Sequence, residues 1–559
     1  MNWTGSAAAR RERLVVTGRT VVRGIAGAAA VIAALTLLAR LAGFGRTLVF
    51  TNTVGADSTG DTYLAANTVP NIVFEIVAGG ALASLVVPML AGGIATGDRE
   101  QVRRTASALL GWTLLVLTPL AVLIALAAQP IAELLLGGGN SAKVELAARF
   151  LLVFAPQVVL YGIGIVLTGV LQAHRRFTGP ALAPLFSSLV VAAAYLLFAG
   201  IGGSSEVAGL STPAELVLGV GTTLGVVALS LCLLAPVRRL GLGLRPALRF
   251  PVGAAPRVRR LALAGVLTLA GQQAVAAVAI RLANDGPDGT QVAYFAGLTL
   301  FLVPWAALAV PLATSAYPGL AERIEVSDEA GYRRALAPAA VLSVAASAVA
   351  AGVLVAVSGP MARVFLASAP ESSVAALRDT IIAFAPGLVG YGLVALLTRA
   401  LYARGLWKAP TVCVTGGWLL AVVADVVLAR TLAPEDRGMA LAAGHSIGVT
   451  VAGLGLVVVV VRVAGPGALH GVARAGSAAV AGSAIGGLAG LVVAARLGAD
   501  PVPDAGVPAA IGVGVAAAAV VLVIGAAVMM GTARAALTGA VHALRTSDEQ
   551  RAGTTGGAR

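Results

Sequence analysis

The sequence predicts an all-α integral membrane protein of about fourteen transmembrane helices, built as two parallel-repeat six-helix lobes around a central cavity plus two extra C-terminal helices. Three observations predict it. The 559 residues are 58% hydrophobic and only 11% charged, with a mean hydropathy of +0.92, far from the balance of a soluble domain. Apolar runs of about 20 residues or more recur along almost the whole chain. Slid 230 residues along itself, the chain also matches itself in two places.

The elements follow in order. The first 20 residues are polar and arginine-rich, and the apolar run behind them, 22–53, is long and lacks a small-residue cleavage site. It reads as an uncleaved first span. Runs over 62–95, 103–128, 144–173, 179–200 and 215–235 complete a first set of six, and runs over 258–283, 290–321, 335–358, 375–403, 409–429 and 438–461 form a second. Two more follow at 472–495 and 506–533; in the former Gly482, Gly486 and Gly490 recur every fourth residue, which lets helices approach closely. β-Barrel strands are short and alternating, so these spans are helical. The 26 prolines and 69 glycines are compatible with that, because broken helices are tolerated where neighbours or a wet cavity satisfy the freed backbone groups. The expected organisation is an N-lobe over 1–235, a basic cytoplasmic linker over 236–257, a C-lobe over 258–462, two added spans over 463–535 and a disordered cytoplasmic tail over 536–559.

Basic residues set the orientation. Loops on one side carry twenty-eight arginines and lysines and loops on the other only five, Lys143, Arg363, Arg430, Arg437 and Arg496. The richer side is cytoplasmic, and it holds both termini. The net charge of +14 therefore reads as a topology signal with some attraction for anionic membrane lipids, not as a nucleic-acid surface.

The repeat is parallel. Residues 154–180 face 384–410 with eleven of 27 positions identical, among them Pro156/Pro386, Tyr161/Tyr391 and Pro180/Pro410. The same offset pairs Pro88 with Pro318, Asp98 with Asp328, and Arg103 and Arg104 with Arg333 and Arg334. Six spans separate the partners, so both copies keep one orientation, an architecture in which transporter halves rock about a site at their interface.

The costly residues mark that site. Arg40 and Arg46 lie in the first span, each costing roughly 3 kcal/mol at a bilayer centre unless a cavity, a partner or an anion meets it. They stand six positions apart, about 240° around an ideal helix, so both face one cavity only if Gly43 and Gly45 bend the segment. Pro70 is a third hinge candidate. Asn67, Asn71, Gln272 and Gln273 have the chemistry to hydrogen-bond sugar hydroxyls or neighbouring helices equally, Glu75 is a partner candidate for the arginines, and Arg281 is placed either in the cavity or snorkelling at its span end. Asp425, isolated in its apolar run, is the candidate for ion coupling, with Arg399 or Arg430 as the alternative partner. Cys232 and Cys413 are too few and scattered for a disulfide framework, no metal-ligand spacing surrounds His174 or His445, and no nucleophile motif or carboxylate dyad appears. The expectation is a non-enzyme without a resident cofactor or metal, driven by a coupling cation or by the membrane potential.

The run from 40 to 88 names a family. Arg40, Gly43, Phe44 and Arg46, then Gly55, Ala56 and Asp61, then Pro70 and Asn71, then Gly80, Ala81 and Pro88 resemble the start of the MurJ/MviN lipid II flippases, in the superfamily of multidrug, oligosaccharidyl-lipid and polysaccharide exporters. The resemblance implies alternating access, a bacterial plasma membrane location, an undecaprenyl-pyrophosphate-linked glycopeptide as substrate with Arg40 and Arg46 on its phosphates, and cell-wall synthesis proteins as partners. The chain departs from the family pattern at Thr47, Phe74, Glu75, Gly79, Gly297 and Leu298, where relatives tend to be charged. Two alternatives stay open: an exporter of another polyprenyl-linked glycan or a drug, and a non-transporting scaffold for cell-wall synthesis.

Overall fold

Apolar side chains crowd both the interior and the outer surface of a bundle of long helices, as in a protein whose solvent is lipid. A computed structural model describes residues 34–76, 83–249, 271–497, 506–532 and 538, and no strand occurs among them. Eleven helices are long and apolar enough to cross a membrane, and twelve with one bent pair. The other two predicted spans, the second and the seventh, run partly through residues outside that description.

The N-terminal half contains α1 (Ala34–Thr53), α2 (Ser58–Glu75), α3 (Ala83–Ala95), α4 (Arg99–Leu126), α5 (Ala128–Leu136), α6 (Ser141–Ala173), α7 (Thr178–Gly200), α8 (Thr212–Leu231) and α9 (Leu234–Arg238). The C-terminal half contains α10 (271–283), α11 (Thr290–Pro304) joined through a π-turn at Trp305–Ala309 to α12 (Val310–Glu325), α13 (Glu329–Ala356), α14 (Ser358–Phe365), α15 (Glu371–Phe384), α16 (Gly387–Ala403), α17 (Lys408–Thr431) and α18 (Arg437–Ala464). Two more, α19 (Val472–Arg496) and α20 (Val507–Thr532), follow and pack against α13.

Local chemistry starts and stops these helices. Asp98 accepts the Gln101 N–H at 2.8 Å and Asp328 accepts the Gly331 N–H at 2.7 Å; the two aspartates are repeat partners and serve as matching N-caps of α4 and α13. The repeat fails to match at its prolines. Pro156 sits inside the unbroken α6, whereas at Pro386 the chain bends by 43° between α15 and α16. Ser446 of α18 donates to the carbonyls of Ala383 and Phe384 at 2.7 and 3.1 Å, satisfying backbone groups that the break exposes.

One core is built from α1, α2 and α4–α8 around Phe50, Tyr63, Phe150 and Phe154, with Ile280 and Val292 joining it from the other half. Others in the C-terminal half form around Phe301, Phe365 and Phe384 and around Tyr332, Leu396 and Leu456. Beyond α9, residues 240–249 run back along α4, where Ala247 N donates to Ser107 O at 3.0 Å and Trp112 Nε1 to Leu248 O at 2.8 Å. Gly111 makes room for that strap, since a Cβ there would collide with Ala247.

Candidate binding cavity

A cavity of about 220 Å³ opens between the two halves. One turn of α1 supplies Arg46, Thr47, Phe50 and Thr51, α2 supplies Tyr63, Asn67, Thr68 and Asn71, and α6, α7 and α8 add Tyr161, Ser187, Tyr195 and Thr222. The far wall is α11, with Val292, Phe295, Ala296 and Thr299. Arg46 is the single charged residue in this lining, and no hydrogen bond or ion pair engages it among the described residues.

Hydroxyl groups organise the rest. The Tyr63 hydroxyl lies 2.8 Å from that of Tyr195 and 2.7 Å from Thr222 Oγ1, and Tyr161 donates to Asn71 Oδ1 at 3.0 Å with its ring against Phe74, centroids 4.5 Å apart. Asn67 Oδ1 is buried without a partner among the described residues. One guanidinium set among neutral hydroxyls and amides suits an anion attached to a hydroxyl-rich group.

At the end of the bundle that carries Lys143, the cavity is closed by contacts between the halves. Asp61, 2% exposed, accepts the N–H of Gly289 at 2.8 Å and of Val292 at 2.9 Å, so a carboxylate from α2 sits on the first turn of α11. Such an anion is favoured there by the unpaired N–H groups and the helix dipole. Gly289 lies in the left-handed region at φ +91°, and a Cβ on it would strike the Ala56 backbone. Asn52 spans the same boundary: its Nδ2 donates to Val364 O at 3.2 Å and its Oδ1 accepts from Ala367 N at 3.0 Å. Lys143 and Asp288 pair nearby.

The predicted site residues are brought together in part. Arg46, Asn67 and Asn71 share the cavity, but Arg40 is exposed on a different face. The hinge expected at Gly43 and Gly45 is not made: α1 runs unbroken through both, and Thr47 Oγ1 donates to Gly43 O at 3.2 Å as in a regular turn. Without a bend, six positions of helix turn the two arginines apart. Pro70 likewise lies inside continuous α2. Glu75 is exposed at the end of α2 and pairs with neither arginine among the described residues. Gln272 lines a separate cavity of about 150 Å³ with Tyr391, Val414 and Trp418. Arg281 reaches neither cavity; it pairs with Asp285 at 2.7 Å beside the Gly137 turn.

Asp425 is fully buried in α17, both oxygens without a hydrogen-bond partner among the described residues. Arg399 donates instead to Ala395 O at 2.8 Å and Arg430 is exposed. The carboxylate rests against Gly444 of α18, where a Cβ would overlap Oδ1. No group of three or more His, Cys, Asp or Glu suited to a metal occurs among the described residues.

Sequence reasoning missed Asp61 as a site residue, along with Tyr63 and Tyr195. A signal existed for Asp61, since an acid in an apolar helix is costly, but starting the second span at residue 62 left it in a loop.

Residues 50–495 match the family model described as lipid II flippase MurJ. The chain belongs to the lipid II flippase MurJ family. Among MurJ relatives, a probable lipid II flippase MurJ of Rhizobium tropici is 25% identical over 419 residues, 73% of this chain and 76% of that protein. One from Vibrio cholerae serotype O1 is 26% identical over 181 residues, 31% of this chain and about a third, 34%, of the relative's own length. The fold is that of a solved lipid II flippase MurJ in an inward closed conformation, with a TM-score of 0.70 at 17% identity over 88% of this chain and 98% of that one. It is also similar to an inward-facing multidrug resistance MATE family transporter of the MOP superfamily, with a TM-score of 0.61 at 15% identity over 77% and 94%. The MurJ match begins four residues after Arg46, so the arginine of the cavity lies just outside it.

Proposed function

We propose that this chain moves a lipid-linked peptidoglycan precursor, lipid II, from the inner to the outer leaflet of a bacterial plasma membrane by alternating access. The observation that carries the reading is the polar cavity between the halves, with Arg46 in its wall free of any ion pair among the described residues and a closed Lys143 end. Both termini are cytoplasmic in this reading, so the Lys143 end faces outward. The headgroup enters from the cytoplasmic side while the polyprenyl tail stays in lipid. Parting Asp61 from α11 and Asn52 from the 364–367 turn then opens the outer side. The cavity is smaller than the roughly 300–1,000 Å³ of common ligand pockets, so the halves must separate to admit a disaccharide-peptide.

Moving about two negative charges outward from a negative interior runs with the membrane potential and is favourable by about 4.6 kcal/mol per 100 mV if they cross the full field. Asp425 is the group we assign to cation coupling if the potential is not the sole drive. Cell-wall synthesis proteins are the partners this reading implies, and it contains no covalent step.

The single guanidinium favours a second substrate, a polyprenyl-linked glycan of lower negative charge. A neutral apolar interface would favour the scaffold; the hydroxyl- and amide-rich wall does not. Depleting the protein in a strain without a second family member and measuring lipid II on each membrane face tests the proposal. Outward exposure falls if it holds, and unchanged exposure refutes it.

A further inference from the structure

A second cation at the Lys143 end is left unused by the transport reading. Arg437 is the first residue of α18, a 28-residue helix whose start has no side-chain cap. It is only 8% exposed, its Nε is buried without a partner, and it makes no hydrogen bond or ion pair among the described residues. The start of α11 adjoins it. A Cβ on Gly286 would lie 2.9 Å from both Arg437 Cβ and Thr290 Oγ1, and Gly438, next along α18, packs on Thr380 Oγ1.

This placement runs against electrostatics twice. A helix N-terminus carries partial positive charge and repels a cation, and Arg437 stands at the first position of one. Burying an unpaired charge adds a desolvation cost. Acids on the segments that adjoin α18 and its preceding turn have partners of their own: Asp379 with Arg378, Asp285 with Arg281 and Asp288 with Lys143. Glu435 is exposed in the turn before α18, and Asp436 beside it makes no ion pair among the described residues. The Arg437 N–H donates to Pro434 O, so an anion with several acceptor oxygens would satisfy the guanidinium together with the next N–H groups of the first turn.

We infer that Arg437 and the start of α18 form a phosphate-class anion site at the Lys143 end of the protein. The phosphate has two possible sources, the headgroup of an anionic phospholipid or the pyrophosphate of a departing lipid-linked substrate.

The test uses the full chain in a maltoside detergent, which carries no phosphate, with inorganic pyrophosphate and then phosphatidylglycerol as probes of thermal unfolding. The expected result is a rise in melting temperature that Arg437→Gln removes, apparent affinity falling about tenfold or more, while Arg437→Lys keeps part of it and Arg40→Gln, on the exposed face of α1, all of it. Without anion, Arg437→Gln melts at the wild-type temperature or above, because an unpaired buried charge has gone. A response to phosphatidylglycerol alone assigns the site to lipid; a response to pyrophosphate assigns it to substrate. No response to either probe, wild-type affinity in Arg437→Gln, or a melting temperature several degrees lower in anion-free Arg437→Gln overturns the inference.

Discussion

Asp61 of α2 accepts the backbone N–H of Gly289 at 2.8 Å, so a carboxylate from the N-terminal half fastens the first turn of a helix in the C-terminal half. The bond crosses the boundary that alternating access must open, and a second N–H, from Val292 at 2.9 Å, shares the same carboxylate. Hydrogen bonds to a charged group contribute about 1.5–3 kcal/mol each. They therefore bias the equilibrium strongly without locking it.

Asp61→Asn keeps the shape but offers one acceptor oxygen and no charge. The Lys143 end is then expected to open more often. A cysteine placed at Val292 in an otherwise cysteine-free chain should react with a water-soluble maleimide about tenfold faster when Asp61→Asn is also present, as loss of roughly one charged hydrogen bond predicts. Equal rates with and without Asp61→Asn refute the latch.

The two arginines of α1 should separate cleanly in function. Arg46→Gln removes the single cation among the described residues of the cavity lining, and transport of a phosphate-bearing lipid is expected to fall at least about tenfold, the scale of a lost charged contact. Arg40→Gln, on the exposed face, should remain within about twofold of wild type, as surface substitutions usually do. Outward lipid II exposure in cells carrying each variant as the only copy reads both.

Asp425 carries two buried oxygens without partners among the described residues. Asp425→Asn is expected to leave melting temperature unchanged or higher in salt-free buffer, because an unpaired buried carboxylate stabilises nothing. It should also abolish any stabilisation by monovalent cation that the wild-type chain shows. A cation response that survives in Asp425→Asn removes this residue from the coupling role.

Ser446→Ala tests the bend. It strips the carbonyls of Ala383 and Phe384 of their side-chain donor, an expected loss of about 1–3 kcal/mol for buried groups left unsatisfied. Thermal unfolding of the detergent-solubilised chain measures it, and an unchanged melting temperature shows that the break is satisfied otherwise.

Much of this fold was legible because hydropathy is local and additive. Each apolar run predicts its own helix whatever it packs against. The repeat was legible from Pro156 and Pro386, but their different outcomes were not: one proline is absorbed within a straight helix, while the other breaks it where Ser446 stands ready to bond the freed carbonyls.

The candidate site was legible only in part, for the same reason. Sequence alone determined that Arg46, Asn67, Asn71 and Asp425 were too polar for lipid and needed a reason to be there. Which of them share a space depends on how far each helix is rotated about its axis and what it faces across the bundle, and no single segment encodes that. With α1 unbent, the tertiary structure turned Arg40 out and Arg46 in, drew Asp61 across to α11, placed Gln272 in another cavity, and left Arg281 held by Asp285.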